Sequence, residues 1–314
     1  MIRDQVLRVA PEDSGSRLDV FVARAIPTTS RALATTAIDE GQVCVNGRPS
    51  KKGYKVAAGD EVTVVGLMEV SDWKAAPNPA VRIPLIHEEQ GFLVISKPAG
   101  IPVHPLHPRE TDTVVSGLLA AYPELAGIGA DPLFPAAVHR LDAETSGLML
   151  VARDQATYDF FRRQFGERNV VKQYVALACG VIAEGGRLEH HLVHSFAGAH
   201  RMIVVDKEKA RPGQRPMLAI TEHAVRRAFP YHTLLDVTML TGVTHQIRCQ
   251  FAFVGHPLAG DALYGSKESD AGYSGRLFLH AEQITFPDPA TGSPRSFRSE
   301  LPEDLAAGLQ RLGG

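Results

Sequence analysis

One polar stretch of the chain carries residue types that could do chemistry. The sequence HRLDAETSG occupies residues 139–147 and runs directly into the apolar residues 148–152, which favour a strand. Asp142 therefore lies at the mouth of a predicted strand, on the kind of loop where catalytic groups are often found. A carboxylate in such a position can attack carbon as a nucleophile or act as a base.

Less specific interpretations of the same stretch stay open at this level. An aspartate ahead of Thr145 and Ser146 often accepts a hydrogen bond from backbone two residues on, which forms an Asx-turn. His139 and Arg140 could equally be a solvated basic pair. The spacing alone does not decide, so the rest of the chain must.

The composition of the chain is that of a globular protein. Its 314 residues, 44% hydrophobic and 22% charged, suffice for one large domain and one small one. No stretch is apolar enough to span a bilayer, and the N-terminus lacks a secretory apolar core. Cys44, Cys179 and Cys249 are too far apart in sequence to suggest a metal or redox pair. These features predict a cytoplasmic protein.

The charge balance is a mild argument against nonspecific nucleic-acid binding. The formal net charge is −2, whereas such binders are usually basic. Because binding depends on where charge lies, a local basic cleft stays compatible with this balance.

The first segment, residues 1–68, has the pattern of a small α/β module. Ser16 is a plausible cap for its first helix, and Asn46-Gly47 indicates a tight turn. The predicted helices are residues 16–24 and 30–41, and the predicted strands are residues 43–45 and 61–65.

The rest of the chain follows a polar, proline-containing stretch, residues 69–81, which is predicted to be a linker. Residues 82–300 are rich in strands with interspersed helices, which predicts an α+β domain with a mixed, largely antiparallel sheet. Residues 301–314 are expected to be a tail, either a short helix or frayed. The predicted strands are 92–96, 146–152, 170–178, 219–227, 231–240 and 277–286, and the predicted helices are 113–121, 154–165 and 245–253.

The stretch HRLDAETSGLMLVA is similar to the signature of the RluA-type pseudouridine synthases, which isomerise uridine in folded RNA. Further motifs resemble those of the same family in order and spacing. They are ISKPAGIPVH at residues 95–104, KQYVAL at 172–177, TGVTHQIR at 241–248, GHPLAGD at 255–261 with Tyr264-Gly265, and Arg276 with LHA at 279–281. The resemblance implies the catalytic fold of that family for residues 82–300, and the N-terminal segment resembles the S4 RNA-binding module.

The resemblance also implies a reaction and the residues that perform it. The N1–C1′ bond of uridine breaks, the uracil turns, and C5 bonds to C1′. Asp142 is implied to be the nucleophile or base, with Arg248 as its ion-pair partner. Arginine suits that position because it stays charged and can clamp a carboxylate. Tyr174 corresponds to a tyrosine whose ring packs against the target base, although a strand tyrosine is also an ordinary core residue.

Other residues are implied to hold the substrate. Leu279 is similar to the apolar wall of the base pocket. Arg140 matches the residue that fills the gap when the base leaves its stack. His139 is expected to help shape the loop, and Thr244 and Gln246 of the TGVTHQIR motif are expected to contact the substrate.

In the S4-like segment the implied RNA contacts are basic side chains. Each of them could equally be an ordinary solvated charge. They are Arg17, Arg31, Arg48, Lys51 and Lys52.

The sequence departs from the family at Val243, where the motif usually has arginine. A β-branched apolar residue cannot contact phosphate. The departure therefore puts that RNA contact in doubt and suggests a shifted substrate preference.

No cofactor is expected, because the isomerisation is redox-neutral and the chain has no phosphate-cradling glycine motif. His190, His191 and His194 could suggest a metal site, but surface-loop histidines are the commoner explanation and no metal is predicted. The expected partner is RNA, with 23S ribosomal RNA as the first expectation. Transfer RNA, a noncatalytic role in ribosome assembly and, more distantly, an aspartate-based hydrolase are the alternatives. A monomer without membrane association is expected.

Overall fold

The computed structural model divides into two units, Met1–Lys74 and Ala75–Gly314. The first part of the predicted linker, residues 69–72, lies outside the described residues. The structure describes residues 2–27, 29–68, 73–195, 201–211, 213–266, 270 and 272–313.

The first unit combines two helices with a four-stranded antiparallel sheet in the order β1-β4-β2-β3. Leu18, Phe21 and Val22 of its first helix share a buried core with Val62 and Val64 of its last strand. Its elements are β1 (Ile2–Arg8), α1 (Leu18–Ala25), α2 (Arg31–Asp39), β2 (Val43–Val45), β3 (Arg48–Pro49) and β4 (Glu61–Met68). The predicted small α/β module is confirmed, with β1 and β3 as additional strands.

The helix starts and the tight turn of the first unit can be compared with the sequence predictions. Ser30 accepts a hydrogen bond from the Leu33 N–H at 3.3 Å and caps α2. The prediction of Ser16 as a cap is wrong, because α1 begins after Arg17 and no side chain caps it. Asn46 and Gly47 both have left-handed backbone, with φ of 49° and 73°, as the predicted tight turn requires.

The second unit is built on one ten-stranded sheet. Its order is β10-β9-β11-β12-β8-β13-β7-β6-β5, with β14 on β13. Among the described strands only β13 and β7 pair in parallel, so the predicted α+β class with a mixed, largely antiparallel sheet is confirmed. The strands are β5 (Leu85–Glu88), β6 (Phe92–Lys97), β7 (Ser146–Ala152), β8 (Val171–Cys179), β9 (Gly186–His194), β10 (Met202–Val205), β11 (Met217–Ala228), β12 (His232–Met239), β13 (Leu279–Pro287) and β14 (Pro294–Arg298).

The helices of the second unit cover this sheet. Asp154 caps α4 by accepting the Thr157 N–H at 2.8 Å. The segment after residue 300 forms a helix that buries Leu305 completely. The helices are α3 (Val114–Ala121), α4 (Gln155–Gly166), α5 (Gln246–Phe253) and α6 (Glu303–Leu312). Every helix in the part of the chain that the structure describes is too short or too polar to cross a bilayer.

Strands β6 and β7 are buried on both faces because their side chains alternate between two cores. Leu93 and Met149 face the core that α3 shares, whereas Phe92 and Leu148 face the core that contains Phe161 of α4. This double burial explains why the two strands are continuous apolar runs and were predictable from sequence. It also makes them a rigid base for the loop that precedes β7.

Strand β9 was not predicted, and this corrects the interpretation of its histidines. Its sequence GRLEHHLVH mixes polar and apolar residues, so it lacks an apolar run. His190, His191 and His194 therefore lie on a strand and not on a surface loop. Pairing with β10 and β11 on its two sides forms the strand despite its polar sequence.

Gly147 permits the close approach of β7 to β13. Its φ is 122°, and a Cβ at this position would lie 2.3 Å from the Ala281 carbonyl oxygen. We expect Gly147→Ala to lower the free energy of unfolding by about 2 to 4 kcal/mol, because it adds steric overlap and backbone strain. Urea unfolding followed by circular dichroism measures this loss.

Gly166→Ala is the matched control for that substitution. Gly166 ends α4 with ordinary backbone, and no atom lies within 4 Å of an added Cβ. Its free energy of unfolding should change by less than about 1 kcal/mol. Equal losses in the two variants would show that the β7–β13 approach does not require glycine.

Candidate active site

A cleft of about 610 Å³ opens in the second unit. The loop before β7, the end of α4, the start of β8, the loop before α5 and the start of β13 line it. The cleft brings together all the predicted catalytic and substrate-binding residues, from distant parts of the sequence. They are His139, Arg140, Asp142, Tyr174, Thr244, Gln246, Arg248 and Leu279.

Arg248 is buried between two carboxylates. Its Nε and Nη2 donate to the two oxygens of Asp261 at 2.7 and 2.9 Å, and its Nη1 donates to Asp142 Oδ2 at 3.2 Å. Burial opposes a charge on the guanidinium, but the two carboxylates outweigh it and raise the pKa of Arg248. Asp261 in turn accepts the N–H groups of Leu263 and Tyr264 at 2.9 and 3.0 Å.

The two oxygens of the Asp142 carboxylate have different surroundings. Oδ2 accepts the hydrogen bond from Arg248 and lies 3.8 Å from Nε2 of His245. Oδ1 has no hydrogen-bond partner among the described residues. The carboxylate is therefore held by one oxygen, and the other is available to a reacting group in the cleft.

A buried lysine fixes the loop that carries Asp142. Lys97 is fully buried at the end of β6, and its ammonium donates to the carbonyls of Pro98 and Ala143, both at 2.7 Å. The Gly100 N–H donates to the same Ala143 carbonyl at 2.9 Å. Burial lowers the pKa of Lys97 to about 7, although Glu144 and Asp142 oppose the shift. The motif at residues 95–104 and the motif that contains Asp142 thus meet at the Ala143 carbonyl.

Tyr174 and Leu279 form the apolar side of the cleft. Tyr174 on β8 is 5% exposed, and Leu279 at the start of β13 is 4% exposed. The two strands are direct neighbours, with Tyr174 paired to Ala281. Burial, and then the nearby Asp142 carboxylate, raise the pKa of the Tyr174 hydroxyl, so the phenol keeps its proton.

His139 and Arg140 differ sharply although they are adjacent. The His139 ring is buried, packs 4.8 Å from the Phe165 ring, and accepts the Leu150 N–H at Nε2 (3.0 Å). Burial lowers the pKa of His139 to about 3, so the imidazole is neutral and ties the loop to β7. Arg140 is exposed at the cleft.

Gln246 organises the loop before α5. Its Oε1 accepts from the Thr241 hydroxyl (2.8 Å) and the Val243 N–H (3.0 Å), and its Nε2 donates to Ile220 and Thr221, both at 2.9 Å. Its amide is therefore committed to protein groups, which differs from the predicted substrate contact. Thr244 is partly exposed in the cleft.

Two polar residues of the site carried no predicted role, Asp261 and His245. Both belong to the matched motifs GHPLAGD and TGVTHQIR, which were the only available signal. His245 precedes α5 with left-handed backbone, φ 54°, a conformation that costs about 1 to 2 kcal/mol for a residue with a Cβ. Such strained positions cluster at functional sites.

The charged side chains that line the cleft are mostly positive. Among the described lining residues, Asp142 is the single acidic side chain. The basic ones are Arg140, Arg162, Arg168, Lys172 and Arg248. The cleft is thus locally basic in a chain whose net charge is −2.

Lys172 lies next to the loop that contains Val243. Its ammonium is 3.5 Å from where a Cβ on Gly242 would stand, and 5.9 Å from the Phe165 ring centre. No carboxylate of the described residues forms an ion pair with it. Burial lowers the pKa of Lys172 to about 8.

The basic residues of the first unit divide into two groups. Arg17 and Arg31 both donate from Nε at 2.9 Å to Asp19, whose side chain is buried. The hydrogen bond from Arg17 is the main cause that lowers the pKa of Asp19 to about 2. Arg17 and Arg31 thus support the module as well as presenting charge. Arg48, Lys51 and Lys52 are exposed.

The histidines considered as metal ligands lie apart from the cleft lining. His190 has a Gln250 nitrogen 3.3 Å from its Nδ1, and its ring packs 5.0 Å from that of Phe253. Within the described ranges, no three His, Cys, Asp or Glu side chains form a group that could hold a metal ion.

Comparison with known families gives two matches. Residues 91–253 match the family described as RNA pseudouridylate synthase, and residues 16–62 match the S4 domain. The predicted S4-like module is therefore confirmed. The matched ranges contain Asp142, Tyr174 and Arg248, whereas Asp261 and Leu279 follow the first of them.

Individual relatives match over most of the chain. The chain is 33% identical to "Ribosomal large subunit pseudouridine synthase D" of Neisseria meningitidis, over 95% of this chain and 79% of the relative. It is 33% identical to an uncharacterized RNA pseudouridine synthase of Bacillus subtilis, over 98% and 97%. The structure of human RNA pseudouridylate synthase domain containing 4 superposes with a TM-score of 0.58 at 25% identity, covering 73% of this chain and 93% of that one.

The ion pair between Arg248 and Asp261 should stabilise the fold. We expect Asp261→Asn to lower the free energy of unfolding by about 3 kcal/mol, because it leaves a buried guanidinium with half of its compensation. Glu189→Gln is the control, since Glu189 pairs with Arg187 at 3.2 Å with both side chains half exposed, and it should cost less than about 1 kcal/mol. Urea unfolding compares the two, and similar losses would contradict a structural role for the buried pair.

Proposed function

The chain belongs to the RNA pseudouridylate synthase family and is therefore an isomerase that converts uridine to pseudouridine in RNA; from this we propose that it modifies the RNA of the large ribosomal subunit, with Asp142 as the reacting carboxylate. The resemblance read from the sequence motifs is confirmed at the level of the family. The roles of single residues and the identity of the RNA are proposals.

The assignment of Asp142 rests on one observation: only one of its two carboxylate oxygens has a hydrogen-bond partner among the described residues. Arg248 holds Oδ2, while Oδ1 has no hydrogen-bond partner among the described residues, and Asp142 lines the cleft. A carboxylate acts as nucleophile or base in its ionised form, and a guanidinium on one oxygen is a suitable partner for a carboxylate.

In the proposed reaction Asp142 either attacks C1′ as a nucleophile or removes a proton from the sugar as a base. The N1–C1′ bond breaks and its electron pair leaves with the uracil. The uracil turns and C5 bonds to C1′, which displaces the Asp142 oxygen from C1′ in the nucleophile route and is accompanied by return of the proton to the sugar in the base route. The hydrogen on C5 is then released to solvent while N1 gains a proton. Atoms and charge balance within the substrate and water, so the steps require no oxidant or reductant.

Two apolar side chains suit the uracil during this rotation. Tyr174 and Leu279 lie on neighbouring strands and offer an aromatic and an aliphatic surface beside the carboxylate. Their burial keeps the surface dry on one side. We assign Tyr174 to packing against the base and Leu279 to the wall of its pocket.

Arg140 is proposed to replace the base in its stack. It is exposed and only two residues from Asp142. Unstacking a base costs about a few kcal/mol, which a planar guanidinium in the vacated space can partly offset. Its neighbour His139 and the motif residue Gln246 are assigned to shaping their loops, because their hydrogen bonds go to protein groups.

Ribosomal RNA is the proposed substrate because several similar proteins bear the name of large-subunit synthases and the chain has an S4 domain. The lining of the cleft supports a polyanionic partner, since its basic side chains outnumber the single acid among the described lining residues. Transfer RNA is the alternative substrate. A monomeric state and a cytoplasmic location stay predictions from the sequence.

Lys172 is proposed to supply the cation that Val243 lacks. Its ammonium stands beside Gly242 at the same loop. We therefore expect one phosphate contact there despite the valine. Arg168 and Arg162 continue the basic surface along the end of α4.

Replacing the carboxylate tests the assignment of Asp142. Asp142→Asn should abolish release of tritium from RNA labelled at C5 of uridine while RNA affinity stays close to that of the natural protein. Its free energy of unfolding should fall by less than that of Asp261→Asn, because Asp142 accepts one hydrogen bond from Arg248 and Asp261 accepts two. Glu144→Gln, a change of the exposed neighbouring carboxylate, should stay active. An active Asp142→Asn protein would falsify the mechanism.

The RNA substrate is identified by two arms of one experiment. Ribosomal and transfer RNA are prepared from cells that lack the protein, treated with the purified enzyme, and mapped for pseudouridine. Restoration of a missing pseudouridine in large-subunit RNA supports the proposal, and restoration in transfer RNA only selects the alternative. If neither RNA lacks a pseudouridine, a noncatalytic role is favoured.

The role of Lys172 predicts a change in salt dependence. Lys172→Met should weaken binding of different RNAs uniformly and reduce the slope of log affinity against log salt by about 1, since one phosphate contact is lost. Lys209→Met, which removes a highly exposed lysine outside the cleft lining, is the control. Fluorescence anisotropy over a salt series measures both slopes, and an unchanged slope for Lys172→Met would exclude this contact.

A further inference from the structure

His245 stands between the Asp142 carboxylate and the partly buried Tyr264. Its Nε2 lies 3.8 Å from Asp142 Oδ2, and its Nδ1 lies 3.1 Å from the Tyr264 hydroxyl. The imidazole is mostly buried, with 14% of the side chain exposed. His245 is the residue before α5 and has left-handed backbone.

The contacts of Tyr264 favour one of the two tautomers of the His245 imidazole. The Met202 N–H donates to the Tyr264 oxygen at 2.8 Å. Burial raises the pKa of Tyr264 to about 12, so the hydroxyl keeps its hydrogen and can donate it. Among the described residues His245 Nδ1 is the acceptor within reach. With Nδ1 accepting, the hydrogen of the neutral ring is on Nε2, which faces Asp142.

We propose that His245 is a positioning residue for the reaction, whose Nε2–H, fixed by Tyr264, holds Oδ2 of Asp142 and so directs Oδ1 at the ribose. The inference rests on the proposed role of Asp142. The 3.8 Å separation is longer than a hydrogen bond, and such contacts commonly shorten when substrate fills a site.

A second donor on Oδ2 has a specific physical effect. One hydrogen bond from Arg248 leaves the carboxylate able to rotate about its Cβ–Cγ bond. A donor from a second direction removes that freedom while leaving Oδ1 unbound. Since the imidazole is neutral, it orients the Asp142 carboxylate without adding a second full positive charge. A second positive charge would weaken the carboxylate as a nucleophile or base. Burial lowers the pKa of His245, which favours this neutral form.

Two substitutions of His245 test its Nε2–H donor. His245→Asn suits the left-handed conformation but is too short to reach Asp142. It should lower the single-turnover rate constant about 10- to 100-fold, as expected for a misdirected reacting group, with RNA affinity nearly unchanged. His245→Gln, whose longer amide can offer an N–H at the place of Nε2, should restore part of the rate.

His190→Asn serves as the control, because His190 is a partly buried histidine outside the cleft lining. It should react at the rate of the natural protein. Tyr264→Phe keeps the ring beside Arg248 but removes the hydroxyl, and it should slow the reaction less than His245→Asn does.

The tautomer is read directly by nuclear magnetic resonance of the full chain with nitrogen-15-labelled histidine. At neutral pH we expect His245 to carry its hydrogen on Nε2, and Tyr264→Phe to yield a mixture of the two tautomers. This measurement of the tautomer does not depend on activity. It therefore remains informative even if Asp142→Asn proves active and the proposed function fails. A hydrogen on Nδ1, or a His245→Asn protein that reacts at the natural rate, overturns the proposal.

Discussion

The buried guanidinium of Arg248 is the interaction on which the site depends. A charge removed from water must be compensated by partners with good geometry. Asp261 takes two of its donors from inside the protein and is itself held by backbone N–H groups. Of the donors that remain, one on Nη1 reaches Asp142. One cation thus ties the loop before β7 to α5 and fixes one oxygen of the carboxylate that is proposed to react.

The loops around that pair are fixed by polar side chains that the protein itself satisfies. Lys97 holds the Ala143 carbonyl, His139 accepts the Leu150 N–H, and Gln246 closes the loop before α5. Each of these groups would be costly to bury without its partner, so the loop conformations follow from their hydrogen bonds. Several motif residues that resemble substrate contacts are in this way parts of the frame. A rigid frame suits a reaction in which catalysis depends on placing a carboxylate against one carbon.

Charge distribution reconciles a mildly acidic chain with an RNA substrate. The sequence total of −2 says little about the cleft, where the described lining is basic apart from Asp142. In the S4 unit Arg17 and Arg31 form ion pairs with Asp19. Lys172 shows how a cation can approach a loop whose own residue, Val243, is apolar. Local geometry, more than composition, determines where a phosphate can be held.

The sequence by itself determined what depends on near neighbours in the chain. The apolar runs of β6 and β7 and the Asn46-Gly47 turn follow local rules, and the order of motifs indicated the family. The tertiary structure decided which groups meet. Arg248 reaches Asp142 across 106 positions, and strand β9 exists only because its neighbours pair with it. Arg248 binds two carboxylates, and His245 lies near Asp142. Both contacts depend on sheet topology, because spacing along the chain carries no information on contacts that the sheet creates.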